Sequence, residues 1–158
     1  MRSSALLVAV LMSAVSLSTI RSRFATAIDA LSGFSESRNP FENFGRAPNT
    51  VAHLRFAVGI INVQGRDDDR QRETTGIMSN TMMGIRFAYR VRPKDQIVSY
   101  DESFNTAQEV IKTITNKSAP VYADLSIRFD FLESELTESG EYMIFDSRFE
   151  VIHFIPLT

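Results

Sequence analysis

The chain has 158 residues, enough for one domain with a core of its own, and its 44% hydrophobic content, including 12 Phe, is that of an ordinary globular protein. A formal charge of −2 advertises no nucleic-acid or membrane partner. The absence of Cys excludes disulfides, thiolate metal sites and cysteine nucleophiles.

Met1-Arg2, the apolar run Ala5 to Met12 and the small residues Ala14 and Ser16 have the outline of a short secretory signal. The run is too short to span a bilayer, which takes about 20 apolar residues. We expect residues 1–16 to be a buried or partner-facing helical extension, with Met12 as an alternative start. Leu17, Ile20, Phe24, Ala27, Ile28 and Leu31 then recur at helical spacing, with Ser16 or Ser18 as N-cap and Gly33 as C-cap. Ser35 to Asn49 holds Pro40, Pro48 and Gly45 and reads as a loop, whose Phe34, Phe41 and Phe44 suggest that it folds back onto the body or a neighbour.

His53 to Gln64 reads as a strand, with Gly59 as a candidate bulge. Gly65 to Asn80 is the most polar stretch and far longer than a hairpin turn, which predicts an extended β-hairpin arm or a loop ordered on contact. Its candidate interaction residues are Arg66, Asp67, Asp68, Asp69, Arg70, Arg72 and Glu73. The next strand sorts Met83, Ile85, Phe87, Tyr89 and Val91 to one face and Arg86, Arg90 and Arg92 to the other. After Pro93, Ser99 and Glu102 match a capping box, and Tyr100, Phe104, Ala107, Ile111 and Ile114 form an apolar stripe. Val121 to Phe131 alternates as a strand. Ser139-Gly140 makes a turn, and Met143 to Ile155 is apolar on both faces, as a central or covered strand would be. The fold expected is α+β: a mostly antiparallel four-stranded sheet with helices packed on one face, a long inter-strand arm and an N-terminal helical extension, in one domain over 1–158. The unit from Met82 to Phe131 is a candidate crossover.

The chemistry-bearing residues do not assemble into a reaction site. Asp67, Asp68 and Asp69 lack the alternate spacing of a calcium loop, and their neighbouring arginines neutralise them. His53 and His153 lie on different predicted strands, with no second ligand at metal spacing. The serines show no nucleophile elbow and the glycines no phosphate-cradling cluster, while Glu133, Glu135, Glu138 and Glu141 crowd the expected hairpin turn. We expect no catalytic residues, no metal and no cofactor. Arg86, Arg90 and Arg92 have two readings. They form a solvent face paired with Asp124, Asp130, Asp146 or Glu150, or they form a subunit interface with a neighbouring copy.

The order of elements, together with Arg86-Phe87-Ala88-Tyr89-Arg90-Val91-Arg92-Pro93, Ser99-Tyr100-Asp101, Gly140-Glu141-Tyr142-Met143 and Phe149-Glu150-Val151-Ile152-His153-Phe154, resembles the tail terminator proteins of long-tailed bacteriophages. The phrase Ser35 to Gly45, with Asn39-Pro40-Phe41, adds to the likeness, which runs from about Leu17 to Leu157. The resemblance implies a structural virion protein, assembled in the host cytoplasm, with residues 17–158 as the terminator-like domain. It implies a homohexameric ring that caps the tail tube, stops its polymerisation and joins the tail to the head-side connector or stopper protein. The arm would contact the major tail tube protein. DNA would pass through the lumen without sequence-specific binding, and no membrane would be involved. Other neck components (head-completion or stopper proteins), a small-molecule-binding α+β domain and a secreted protein with an uncleaved leader are the alternatives.

Overall fold

The computed structural model describes residues 15–38, 52–65, 72–73, 76–116 and 128–156. Among them the chain forms helices α1 (Leu17–Asp29) and α2 (Gln96–Thr115) and strands β1 (Ser35–Glu36), β2 (Arg55–Gly65), β3 (Arg72–Glu73), β4 (Gly76–Arg90), β5 (Arg128–Ser139) and β6 (Tyr142–Pro156). All six strands belong to one sheet, in the order β1-β2-β4-β6-β5, with β3 paired to β4 off that path. The four long strands are antiparallel to their neighbours, as expected, and β6 is central.

The expectation of four antiparallel strands needs correcting at the margins. β1 lies parallel to β2, and β3 adds two residues beside β4, so the sheet is mixed and six-stranded. Strands of two residues carry no alternation to read. β1 is set by the turn after α1, where Gly33 takes φ +84°, and by bonds from Ser35 N to Leu54 O (3.2 Å) and Ser37 N to Phe56 O (2.7 Å). The candidate crossover is present: β4 and β5 both pair antiparallel with β6, so they run parallel to each other with α2 between them in sequence.

Both helices cover the same face of the sheet. That face presents Phe56 and Val58 of β2, Met83, Ile85 and Phe87 of β4, and Met143, Phe145, Phe149 and Val151 of β6, all buried in one cluster with residues of both helices. α1 begins at Ser16, whose side chain accepts from Thr19 N (3.2 Å), a cap worth about 1 kcal/mol. It buries Ile20, Phe24, Ala25 and Ile28, and the Phe24 ring meets Phe149 edge-on at 6.0 Å. Phe34 does fold back, packing edge-on against Phe56 and Phe87, while Phe41 and Phe44 lie outside the described residues. Of the expected extension, 1–16, residues 1–14 lie outside them too. Val15, next in sequence, is buried and donates its N–H to Phe154 O at 3.0 Å.

α2 departs from its predicted stripe. The capping box is absent: the helix starts a turn earlier, at Gln96 after Asp95, and Ser99 is inside it and fully buried. The buried line is Ser99, Ser103, Ala107, Val110 and Ile114, whereas Phe104 is 48% exposed. The cause lies in the sheet. Phe87 and Phe145 stack at 4.9 Å beneath the first half of α2, and Met143 lies there too. Only small residues fit above those side chains, and Ser103 Oγ contacts Met143 Sδ at 3.6 Å. Tyr100, Phe104 and Ile111 therefore flank the contact. Ser103→Leu should overpack this layer and lower stability by about 1–3 kcal/mol in urea unfolding, while Phe104→Ser costs about 1 kcal/mol or less. The reverse ranking would return the packing stripe to Phe104.

Candidate interaction surface

Of the arginines expected on one face of the second strand, Arg86 and Arg90 lie on β4, whereas Arg92 follows its end and meets the helix side; each has a carboxylate partner within the chain. Arg86 Nε meets Asp146 Oδ2 at 2.8 Å, directly across the β4–β6 ladder. Arg90 Nη2 meets Glu141 Oε2 at 3.2 Å, and Arg92 Nη2 meets Glu102 Oε2 at 2.9 Å. Arg148 pairs with Glu133 of β5 at 3.1 Å, and Asn80 Nδ2 donates to Glu150 Oε1 at 2.9 Å. The sheet face away from the helices is thus a charged lattice that spans three strands. Of the partners anticipated for these arginines, Asp146 is the one realised; Asp124 lies outside the described residues. Arg92 belongs to the exit from β4, where Ser99 Oγ accepts from its N–H at 3.1 Å.

Most of these pairs are half-exposed and worth a few tenths of a kcal/mol. Arg86–Asp146 differs, because the carboxylate side chain is only 13% exposed and has little water to replace a lost partner. A double-mutant cycle on Arg86→Ala and Asp146→Ala should give a coupling of about 1 kcal/mol, against nearly zero for Arg90 and Glu141.

The arm is visible in part. β2 and β4 stay paired out to Gly65↔Ser79, and Arg72 and Glu73 pair with Ile77 and Gly76. The expected hairpin thus forms at its base. Arg66, Asp67, Asp68, Asp69 and Arg70 lie outside the described residues. The bulge falls at Ile61, between Ile60 and Asn62, and not at Gly59, which is in register with Gly84. Gly84 matters for a different reason: a Cβ there would stand 3.0 Å from the Ile61 side chain, which lies against it.

What sequence reasoning missed is the condition of the sheet's edges. The outer edge of β2 is covered only as far as Val58, by β1 and by Arg21, whose Nε donates to Val58 O at 3.1 Å and whose guanidinium pairs with Glu36. From Gly59 to Gly65 every residue is exposed, and among the described residues nothing pairs with this edge. β5, at the opposite end of the sheet, likewise has no outer partner among the described residues, and 131–138 are all exposed. Both edges carry large apolar side chains: Ile60, Ile61 and Val63 on β2, and Phe131, Leu132 and Leu136 on β5. Ile97, Val98 and Phe104 add an exposed apolar stretch on α2. The readable signal was Leu132 and Leu136 standing among Glu133, Glu135 and Glu138. These residues form the strand itself, whereas the sequence reading placed the glutamates at a turn.

The histidines are structural. His153 Nε2 lies 2.6 Å from Thr81 Oγ1, and the residue is 1% exposed. His53 Nδ1 accepts from Arg90 N at 3.0 Å, and its ring packs edge-on against Tyr89. Burial lowers the pKa of both below 6.5, and Arg90 and Arg92 lower His53 further. Both imidazoles therefore stay neutral in the fold at a pH where the unfolded chain already takes up protons. Stability should be full above about pH 6.5 and fall as the pH drops below it. His153→Gln should flatten that fall in thermal unfolding; an undiminished pH slope in this variant would contradict the assignment.

Among the described residues, no three of His, Asp and Glu gather as they would around a metal ion. No helix described is long and apolar enough to cross a membrane. No family model and no curated protein matches the chain.

Proposed function

We propose that this protein is an assembly component, a subunit of a ring that caps the tail tube of a long-tailed bacteriophage and joins it to the head-side connector. The observation that carries the reading is that, among the described residues, both edges of the sheet lack an outer partner and carry exposed apolar side chains. Monomeric proteins usually blunt their edge strands, since an open edge invites another chain to pair with it. A subunit that joins copies of itself uses that invitation.

Ring formation needs a heterologous contact, in which one patch meets a different patch on the next copy and rotation closes the circle. Two unlike edges at opposite ends of one sheet supply such a pair of patches. The resemblance to tail terminators adds the rest of the reading: six copies, a tube-facing arm at Gly65 to Asn80, and a lumen wide enough for DNA. In this role the protein acts by shape and carries out no turnover. Capping means presenting a growing tube with a surface to which a further tube ring cannot add.

The test is the oligomeric state of the full chain by mass photometry and sedimentation across a dilution series. The expected result is a closed species of six copies in equilibrium with the monomer. A protein that stays monomeric at every concentration, and in the presence of tail tubes, would overturn the proposal.

A further inference from the structure

Resting on the ring reading, we infer that the contact between copies is β-augmentation: the β5 edge of one copy pairs, antiparallel and head-to-tail, with the β2 edge of the next. Three features of the fold carry this.

The first is strand direction. β2, β4, β6 and β5 alternate, so β5 runs opposite to β2. Copies standing side by side in one orientation therefore bring β5 against the neighbouring β2 as an antiparallel pair, the more stable arrangement per residue. The sheet then continues from copy to copy without reversal.

The second is the matching of faces. Ile60 and Val63 register with Met83 and Thr81, and Phe131 and Leu136 register with Phe149 and Phe145. Four of the six exposed apolar edge residues thus lie on the helix-bearing side, while Ile61 and Leu132 are at the bulges. A continuous sheet sets the apolar residues of one edge beside those of the other, with the partly exposed Phe104 ring nearby on α2, 6.2 Å from Phe145.

The third is charge. β5 carries Asp130, Glu133, Glu135 and Glu138, while β2 from Phe56 to Gly65 has no charged residue. Antiparallel pairing of β5 with another β5 centred on Ser134 or Glu135 sets glutamates across from glutamates, which is unfavourable. Pairing with β2 avoids this. The bulges at Ile61 and Leu132 confine regular pairing to 62–65 and 133–139. A join that short is reversible, as suits a ring that forms where it is needed.

The chain has no Cys, so introduced cysteines are the sole thiols. Asn62 and Gln64 on β2, and Glu133, Glu135 and Thr137 on β5, are exposed and register with residues of the lattice face. The experiment mixes a β2 variant (Asn62→Cys or Gln64→Cys) with a mass-tagged β5 variant (Glu133→Cys, Glu135→Cys or Thr137→Cys). The mixture is oxidised and read by non-reducing electrophoresis and mass spectrometry. Disulfides linking one β2 variant to one β5 variant are expected, together with a ladder of multimers when both cysteines occupy one chain. Crosslinks confined to identical variants, or none in a preparation that is oligomeric by mass photometry, would overturn the edge pairing and leave ring assembly standing. A protein that stays monomeric before oxidation at every concentration, and in the presence of tail tubes, overturns both.

Discussion

The pairing of β4 with β6, two strands of 15 residues each joined along their whole length, is the constraint on which the other features depend. Because side chains alternate along both strands, this one register sorts them to two faces. Met83, Ile85 and Phe87 are sent with Met143, Phe145 and Phe149 under the helices, and Arg86 with Asp146 to the other side. A shift of one residue would bury the arginine and expose the phenylalanines. The apolar face is what keeps the register, since several stacked Phe rings stabilise far more than any ion pair above them.

From that central pair the sheet grows outwards unequally. On one side β2 is covered near its start by β1 and Arg21 and then has no outer partner among the described residues. On the other, β5 leaves its outer backbone groups without a partner among the described residues. The helices touch both margins, α1 along β2 and α2 through Tyr100 Oη, which donates to Glu138 Oε1 at 3.3 Å, but among the described residues they add no strand to either edge. The ion pairs keep the opposite face polar, so the surface most ready to accept another chain is the rim. The proposed ring follows from using that rim in a head-to-tail sense.

The long strands were legible in the sequence because their alternation is strict, as in Met83 to Val91 and Met143 to Ile155. The first helix was legible from Ser16 and the spacing of Ile20, Phe24 and Ile28. The second helix misled. Its sheet-facing positions are Ser99 and Ser103, chosen small by the bulk of Phe145 and Met143 beneath, and no rule of periodicity makes serine look buried. β1 and β3 were too short to read, and the bulge at Ile61 has no glycine to announce it. The arginine face was visible, but its choice of Asp146 over other carboxylates depends on cross-strand register, which tertiary pairing sets. Which strands are edges could not be read, since an edge is a property of strand order; Leu132 and Leu136 among the glutamates were the one signal.

The account's central claim is that copies join through the sheet margins. Amide hydrogen exchange followed by mass spectrometry, on the full chain below and above its assembly concentration, tests this most directly. The account predicts that assembly slows exchange at 62–65 and 133–139 together, with the β4–β6 pair already protected in the monomer. Assembly that leaves both stretches exchanging as fast as before would contradict it.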